Sequence, residues 1–198
     1  MSIILDLIGS VVIAAFVILI GLRLNQTIAG NADSSSANVN VQESMVDIVR
    51  SIEYDFRKIG YGVPEDQNAI IDTGLTSITF KSDIDNDGTL DVVEWYTGPP
   101  ITGFPNDSVR VLYRRVNGGT PVGAALGVTG FHLKYLNQDG APAQSLGSIY
   151  IIETTLQVES PYKVQDQVIT DQRYEDMGYA VAFWRQTRLA SRNIKRHG

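Results

Sequence analysis

Three regimes of hydrophobic patterning follow one another along the chain. From Ile3 to Leu22 apolar residues run almost without interruption, and fourteen of these twenty positions are Leu, Ile, Val or Phe. A helix of twenty residues spans ~30 Å, the hydrocarbon thickness of a bilayer. Its single charge, Asp6, lies near one end. Fourteen such side chains favour insertion by roughly 4–8 kcal/mol together, against about 2.5–3.5 kcal/mol for an aspartate at mid-membrane. That balance predicts a membrane-inserted N-terminal helix. A cleaved secretory signal would need a basic start, a shorter apolar core and a small-residue exit. A buried core helix would need the rest of the chain to wrap it on every side. Arg23 leans the C-terminal side of the span toward the cytoplasm, a signal of one charge only.

The second regime is polar and then periodic. Asn25–Thr27 and Gly30–Asn40 are small, polar and turn-forming, which predicts a frayed, bent or melted stretch. Met45, Ile48, Val49, Ile52, Phe56 and Ile59 then recur at spacings of three and four, with Glu43, Asp47, Arg50, Glu53 and Arg57 largely elsewhere. This is the stripe of an amphipathic helix, ended by Gly60, Gly62 and Pro64.

The third regime is β. Short runs rich in Val, Ile, Thr and aromatics, divided by Gly, Pro, Asn and Asp, predict strands near Ser77–Ser82, Leu90–Tyr96, Ser108–Val116, Thr129–Leu136, Ser148–Val158 and Ala180–Leu189. Val109, Val111 and Tyr113 alternate with Arg110 and Arg114, and Phe131, Leu133 and Tyr135 alternate with His132 and Lys134. The apolar set of each strand is expected to face the core and the charged set to face water. Asn117-Gly118-Gly119 and Asp139-Gly140 suit hairpin connections, and Ser160–Gly178 reads as a long loop with a short helical turn at most. The fold class expected is α+β: a long N-terminal hydrophobic helix, bent or partly melted, packed on an antiparallel β-sheet. Its segments are residues 1–29 (membrane helix), 30–62 (polar break and amphipathic helix) and 63–198 (antiparallel β-sheet domain).

Composition narrows the function classes. The chain has 198 residues, with 16 basic against 22 acidic side chains and a net charge of −6. That length suits one domain, or one domain plus an appendage, and the acidic balance removes the broad electrostatic reason to expect nucleic-acid binding. With no cysteine there is no disulfide framework, thiol nucleophile or thiolate zinc site. Only His132 and His197 could serve as imidazole bases, and no nucleophile elbow, phosphate-cradling glycine loop or zinc-protease motif accompanies them. Glu153 and Glu159 lie in or beside a strand without evident pairing, so catalysis is not expected. Arg185, Arg188, Arg192, Lys195 and Arg196 form a basic cluster, read as a solvated strand edge and tail or as a contact for acidic neighbours or lipid headgroups.

One local motif carries chemistry. Asp83, Asp85, Asp87, Gly88, Thr89, Asp91 and Glu94 satisfy the D-x-D-x-D-G-x5-E pattern of a calcium loop. A hard cation needs six to eight oxygens, which alternate carboxylates can aim inward around a glycine turn. An EF-hand places helices on both sides, whereas strands are predicted here, so a solvated β-turn of Asp, Asn and Gly is the plainer reading. Calcium is the one cofactor that this pattern suggests.

The layout as a whole resembles the type IV pilin-like superfamily, most of all PilW-type minor pilins and the J-type pseudopilins of type II secretion. The resemblance rests on the order of features: the apolar helix, SIEYDFRKIGYG at the end of the amphipathic helix, SITFKSDIDNDGTLDVVEWY, VLYRRVNGG, GVTGFHLKYLNQDG, a long strand, and an Arg-rich WRQTRLASRN. It implies a non-enzymatic subunit held in the inner membrane. An inner-membrane assembly platform would then pack it, helix inward, with other pilin or pseudopilin subunits in an extracellular or periplasmic filament. The family's short basic leader and glycine are not matched here. Removal of Met1, which the small Ser2 permits, would nonetheless make Asp6 the fifth residue. On the family's pattern that acid meets the N-terminal amine of a neighbouring subunit, which lowers the cost of a charge in hydrocarbon. Gly9, Ser10, Ala14, Ala15 and Gly21 are small residues that would permit close helix approach. The rival class is a membrane-tethered calcium- or ligand-binding β-domain that never assembles.

Overall fold

The computed structural model describes residues 2–163 and 179–189. Its first element is one helix, α1 (Ser2–Lys58), helical through every residue of the polar stretch. The expected break at residues 30–40 is therefore absent. The physical reason is cooperative. The stretch holds one glycine and no proline, while Ala29, Ala32 and Ala37 are strong helix formers. Stopping and restarting would add a second nucleation, which at σ of about 10⁻³ costs roughly 4 kcal/mol.

Lys58 ends the helix where expected. Gly60 and Gly62 take φ of +81° and +76°, and Arg57 and Lys58 place positive charge against the negative end of the helix dipole.

Seven strands follow as a simple antiparallel meander in chain order: β1 (Ile70–Thr73), β2 (Ser77–Ser82), β3 (Asp91–Pro100), β4 (Arg110–Val116), β5 (Val122–Leu136), β6 (Ile151–Lys163) and β7 (Tyr179–Leu189). An α+β architecture is thus what the chain adopts. Six strands match the expected runs, and the short edge strand β1 is an addition. Asn117 and Gly118, both at positive φ, turn β4 into β5. Gly140 (φ +79°) turns the chain within the β5–β6 connection, where Leu136 bridges Pro142. A single 3-10 turn (Leu146–Ser148) then precedes β6, so Asp139-Gly140 is not itself the hairpin. Most of the loop expected at Ser160–Gly178 lies outside the described residues, and β6 runs on to Lys163.

The second half of α1 covers one face of the sheet, closest to β5, β6 and β7. Val41, Met45, Ile48, Ile52, Phe56 and Ile59 are all buried against Ile78, Phe80, Val93, Trp95, Leu112, Phe131, Leu133, Leu156 and Val158. Phe56 meets Phe80 edge to face at 6.0 Å. This buried apolar contact, worth about 25 cal/mol per Å² removed from water, is what holds helix to sheet.

One strand departs from the expectation: Val109, just before β4, is buried as expected, but β4 itself is turned the other way. In β4 the covered face carries Arg110, Leu112 and Arg114, with Leu112 fully buried, while Val111 and Tyr113 look outward. Asp55 on α1 supplies the countercharge that lets Arg114 turn inward. Register shifts between Arg110 and Val111 and between Leu112 and Tyr113 accompany the change. β5 follows the expectation: Phe131 and Leu133 are buried, Tyr135 packs on the core, and His132 and Lys134 are exposed.

Candidate functional site

Two features stand apart from ordinary packing, the uncovered half of α1 and the acidic loop. From Asp6 to Asn25 the helix has a mean hydropathy of 2.6, and no part of it is buried. It is long and apolar enough to cross a membrane, and it is not a core helix of this fold. Ile3, Leu7, Val11, Phe16, Ile18 and Leu22 are each more than half exposed, at every azimuth of the helix. Asp6 is exposed among them. A Cβ added at Gly9 or Gly21 would meet nothing within 4 Å, so both small residues face open space. The packed core begins only at Ala37 and Val41.

The acidic loop joins β2 to β3. Its shape comes from aspartates accepting backbone N–H groups, the usual use of Asp in turns. Asp83, 7% exposed, accepts from Asp87 N (3.1 Å) and Gly88 N (3.1 Å). Asp85 accepts from Asp87 N (3.3 Å), Asp87 from Thr89 N (2.7 Å), and Asp91 from Ile84 N (3.2 Å) and Asn117 Nδ2 (2.7 Å). Asn86 (φ +63°) and Gly88 (φ +87°) supply the left-handed residues that the reversal requires.

Of the six residues in the calcium pattern, three converge. Carboxylate oxygens of Asp83, Asp85 and Asp91 lie within 4.8 Å of one another, the one such group among the described residues. Asp87 falls outside it. Glu94 is in β3 on the uncovered face, where Arg115 donates to it from Nε at 2.6 Å and also from Nη2. The twelfth position of the pattern is thus engaged across the sheet. Three carboxylates provide half or fewer of the oxygens a calcium ion takes, the rest falling to backbone carbonyls or water.

The loop is docked on the end of α1. Lys58 Nζ donates to Ile84 O at 2.6 Å, Tyr54 Oη donates to the same carbonyl at 3.3 Å, and the ammonium lies 4.9 Å from the Tyr54 ring centroid. Ser82 Oγ donates to Lys58 O (2.7 Å) and Gly60 N to Lys81 O (3.0 Å).

The remaining candidates have structural partners or lie elsewhere. His132 is exposed on the outer face of β5. Glu159 accepts from Asn106 Nδ2 (2.9 Å) and Gln157 Nε2 (2.6 Å), tying the β3–β4 connection to β6, and Glu153 sits opposite Lys134. Arg185 is exposed on β7. The Arg188 side chain, Arg192, Lys195, Arg196 and His197 lie outside the described residues.

Sequence reasoning passed over Asp55. It is 1% exposed and accepts from Trp95 Nε1 at 2.8 Å, Arg114 Nε at 2.6 Å and Arg114 Nη2 at 3.1 Å. The hydrogen bond to Asp55 holds the Arg114 guanidinium above its ordinary value, against the opposing effect of burial. A signal did exist: Asp55 stands three residues after Ile52 and four before Ile59, on the apolar stripe itself. Tyr135 is a half-buried residue with a polar tie. Its hydroxyl sits 3.0 Å from Gly74 O and 2.9 Å from Ser77 O, and burial raises its pKa.

Comparison with protein-family models finds no match, and comparison with curated proteins finds no relative.

Proposed function

We propose that the chain is a pilin-like filament subunit, a minor pilin or pseudopilin. α1 anchors it singly in the inner membrane, and an inner-membrane assembly platform then packs the same helix against those of other subunits in an extracellular or periplasmic filament. The observation that carries this reading is the uncovered apolar helix, continuous with the helix that holds the β-domain. Apolar side chains at every azimuth suit a helix surrounded on all sides, first by lipid and then by other helices. Asp6 would be neutralised by the amino end of an adjacent subunit, and no enzymatic activity or nucleic-acid partner belongs to the reading.

The test is assembly. Sheared cell-surface material or the isolated secretion apparatus should contain the chain, identified by mass spectrometry together with its first residue. Asp6→Ala should still insert but be missing from the filament, and scrambling Ile3–Leu22 at constant composition should do the same. A scrambled helix that assembles normally would favour the simple tether.

That second reading, a tethered calcium-binding β-domain that does not assemble, is favoured by the convergence of Asp83, Asp85 and Asp91. Titration of the full-length chain with millimolar calcium decides it. Heat of binding and a raised melting temperature, both abolished by Asp83→Asn, support it; neither effect means that the loop is a plain turn.

A further inference from the structure

Trp95 and Arg114 are direct cross-strand partners of β3 and β4, so the sheet register sets their donors side by side. The fork they make holds one carboxylate, Asp55, through three hydrogen bonds at 2.6–3.1 Å. Asp55 is the one charged residue of α1 that is buried among the described residues, and it lies among Ile52, Phe56 and Ile59. Replacing such a pair with apolar side chains of similar size is often neutral or stabilising, so stability alone is a poor account of its presence.

The stripe itself supplies the need. Hydrophobic contact is non-directional, and the buried series Val41, Met45, Ile48, Ile52, Phe56 nearly superposes on itself after a one-turn slide of ~5.4 Å. Val41 takes the place of Met45, Ile48 that of Ile52, and Ile52 that of Phe56. At the end of the helix, Gly60 N to Lys81 O and Ser82 Oγ to Lys58 O use backbone groups that recur at every residue, and the Lys58 and Tyr54 side chains reach only a loop carbonyl, Ile84 O, on long stems. Asp55 does not recur. A one-turn slide brings Ser51 or Ile59 to the fork, and neither offers a carboxylate to the half-buried Arg114 guanidinium, while Asp55 would leave both of its partners.

We propose that Asp55 is the register key of this protein: its carboxylate, read by the Trp95–Arg114 fork, selects one axial and rotational setting of α1 on the sheet. Because α1 is unbroken from Ser2, the same setting decides which side of residues 3–22 lies toward the β-domain. The use of that orientation in filament packing rests on the proposed function; the register itself does not.

The experiment uses full-length protein in detergent, with spin labels on cysteines introduced at exposed Val46 and Leu75, the chain having no cysteine of its own. The parent should give one narrow distance. The triple variant Asp55→Leu, Trp95→Phe, Arg114→Met strands no polar group. It should stay folded, with a melting temperature within about 5 °C of the parent, a shift on the scale of a single modest substitution. It should also show a second distance population displaced by about 5.4 Å, one helical pitch. Asp55→Asn, which keeps an acceptor for Trp95 but loses the charge, should show a smaller second population. A single unchanged distance in both variants would overturn the proposal. So would loss of folding in the triple variant, since the pair would then stabilise rather than select. Distances are read on dispersed protein, so a failure to form filaments leaves this result intact.

Discussion

Residues 3–22 and residues 41–58 belong to one helix, yet they stand in opposite environments. The first stretch is apolar on all sides, and none of its described residues is buried; the second is apolar on one side and is buried there to within a few per cent. Identical backbone geometry therefore has two different supports. In the second half, packing on the sheet holds the helix, and the polar face can be charged. In the first half the fold provides no such surface, so its apolar side chains are matched only to surroundings outside the fold. The polar stretch between them meets the core only at its end, at Ala37, among the described side chains, and continues as helix from its ends.

The comparison breaks most visibly at mid-span. Ile13→Arg with Val17→Arg adds about 5–7 kcal/mol to the cost of insertion, which cancels most or all of the gross apolar gain. The chain should move from the carbonate-resistant membrane fraction to the soluble fraction, while the β-domain keeps its melting temperature. If it stays in the membrane, something other than the apolar helix holds it there.

Phe56→Ala tests the other half. Truncating a fully buried phenylalanine costs about 3–5 kcal/mol. The β-domain should lose much of its thermal stability with membrane association unchanged. A melt within a few degrees of the parent would mean that the stripe is not what holds helix to sheet.

A smaller effect concerns Tyr135, which ties β5 to the β1–β2 turn. Its folded pKa is raised, so the native state keeps the proton after the unfolded state begins to lose it near pH 10. The contribution is complete below that pH and falls as pH rises further. Tyr135→Phe should be somewhat less stable at pH 8 and should show a shallower loss of stability above pH 10, read by chemical denaturation across pH. An equally steep alkaline limb would remove Tyr135 as its source.

Much of this architecture was legible where periodicity is clean. The stripe from Met45 to Ile59, its stop at Gly60 and Gly62, and the extent of β2 from Ser77 to Ser82 follow from side chains whose spacing has one solution. β1 escaped notice because four residues, Ile70–Thr73, are too few to show alternation. The facing of β4 was misread for a different reason. Val111 and Tyr113 look like core positions until a countercharge on another element makes the opposite face cheaper. In the acidic loop the spacing of the carboxylates was evident, but the direction of Glu94 depended on Arg115, twenty-one residues away on the next strand.

By itself, then, the amino-acid order determined the amphipathic helix and six of the strands, and that one helix carries a twenty-residue apolar run, though not the continuity of α1 through residues 30–40 or the short β1. Those outcomes depend on neighbours within a turn or two and on solvation of single side chains. Tertiary structure alone decided which face of β4 is covered, which of the aspartates converge, and that Asp55 is buried in an ion pair. Each of these depends on a partner remote in sequence, and the free energy of burying a charge is settled only when that partner is in place.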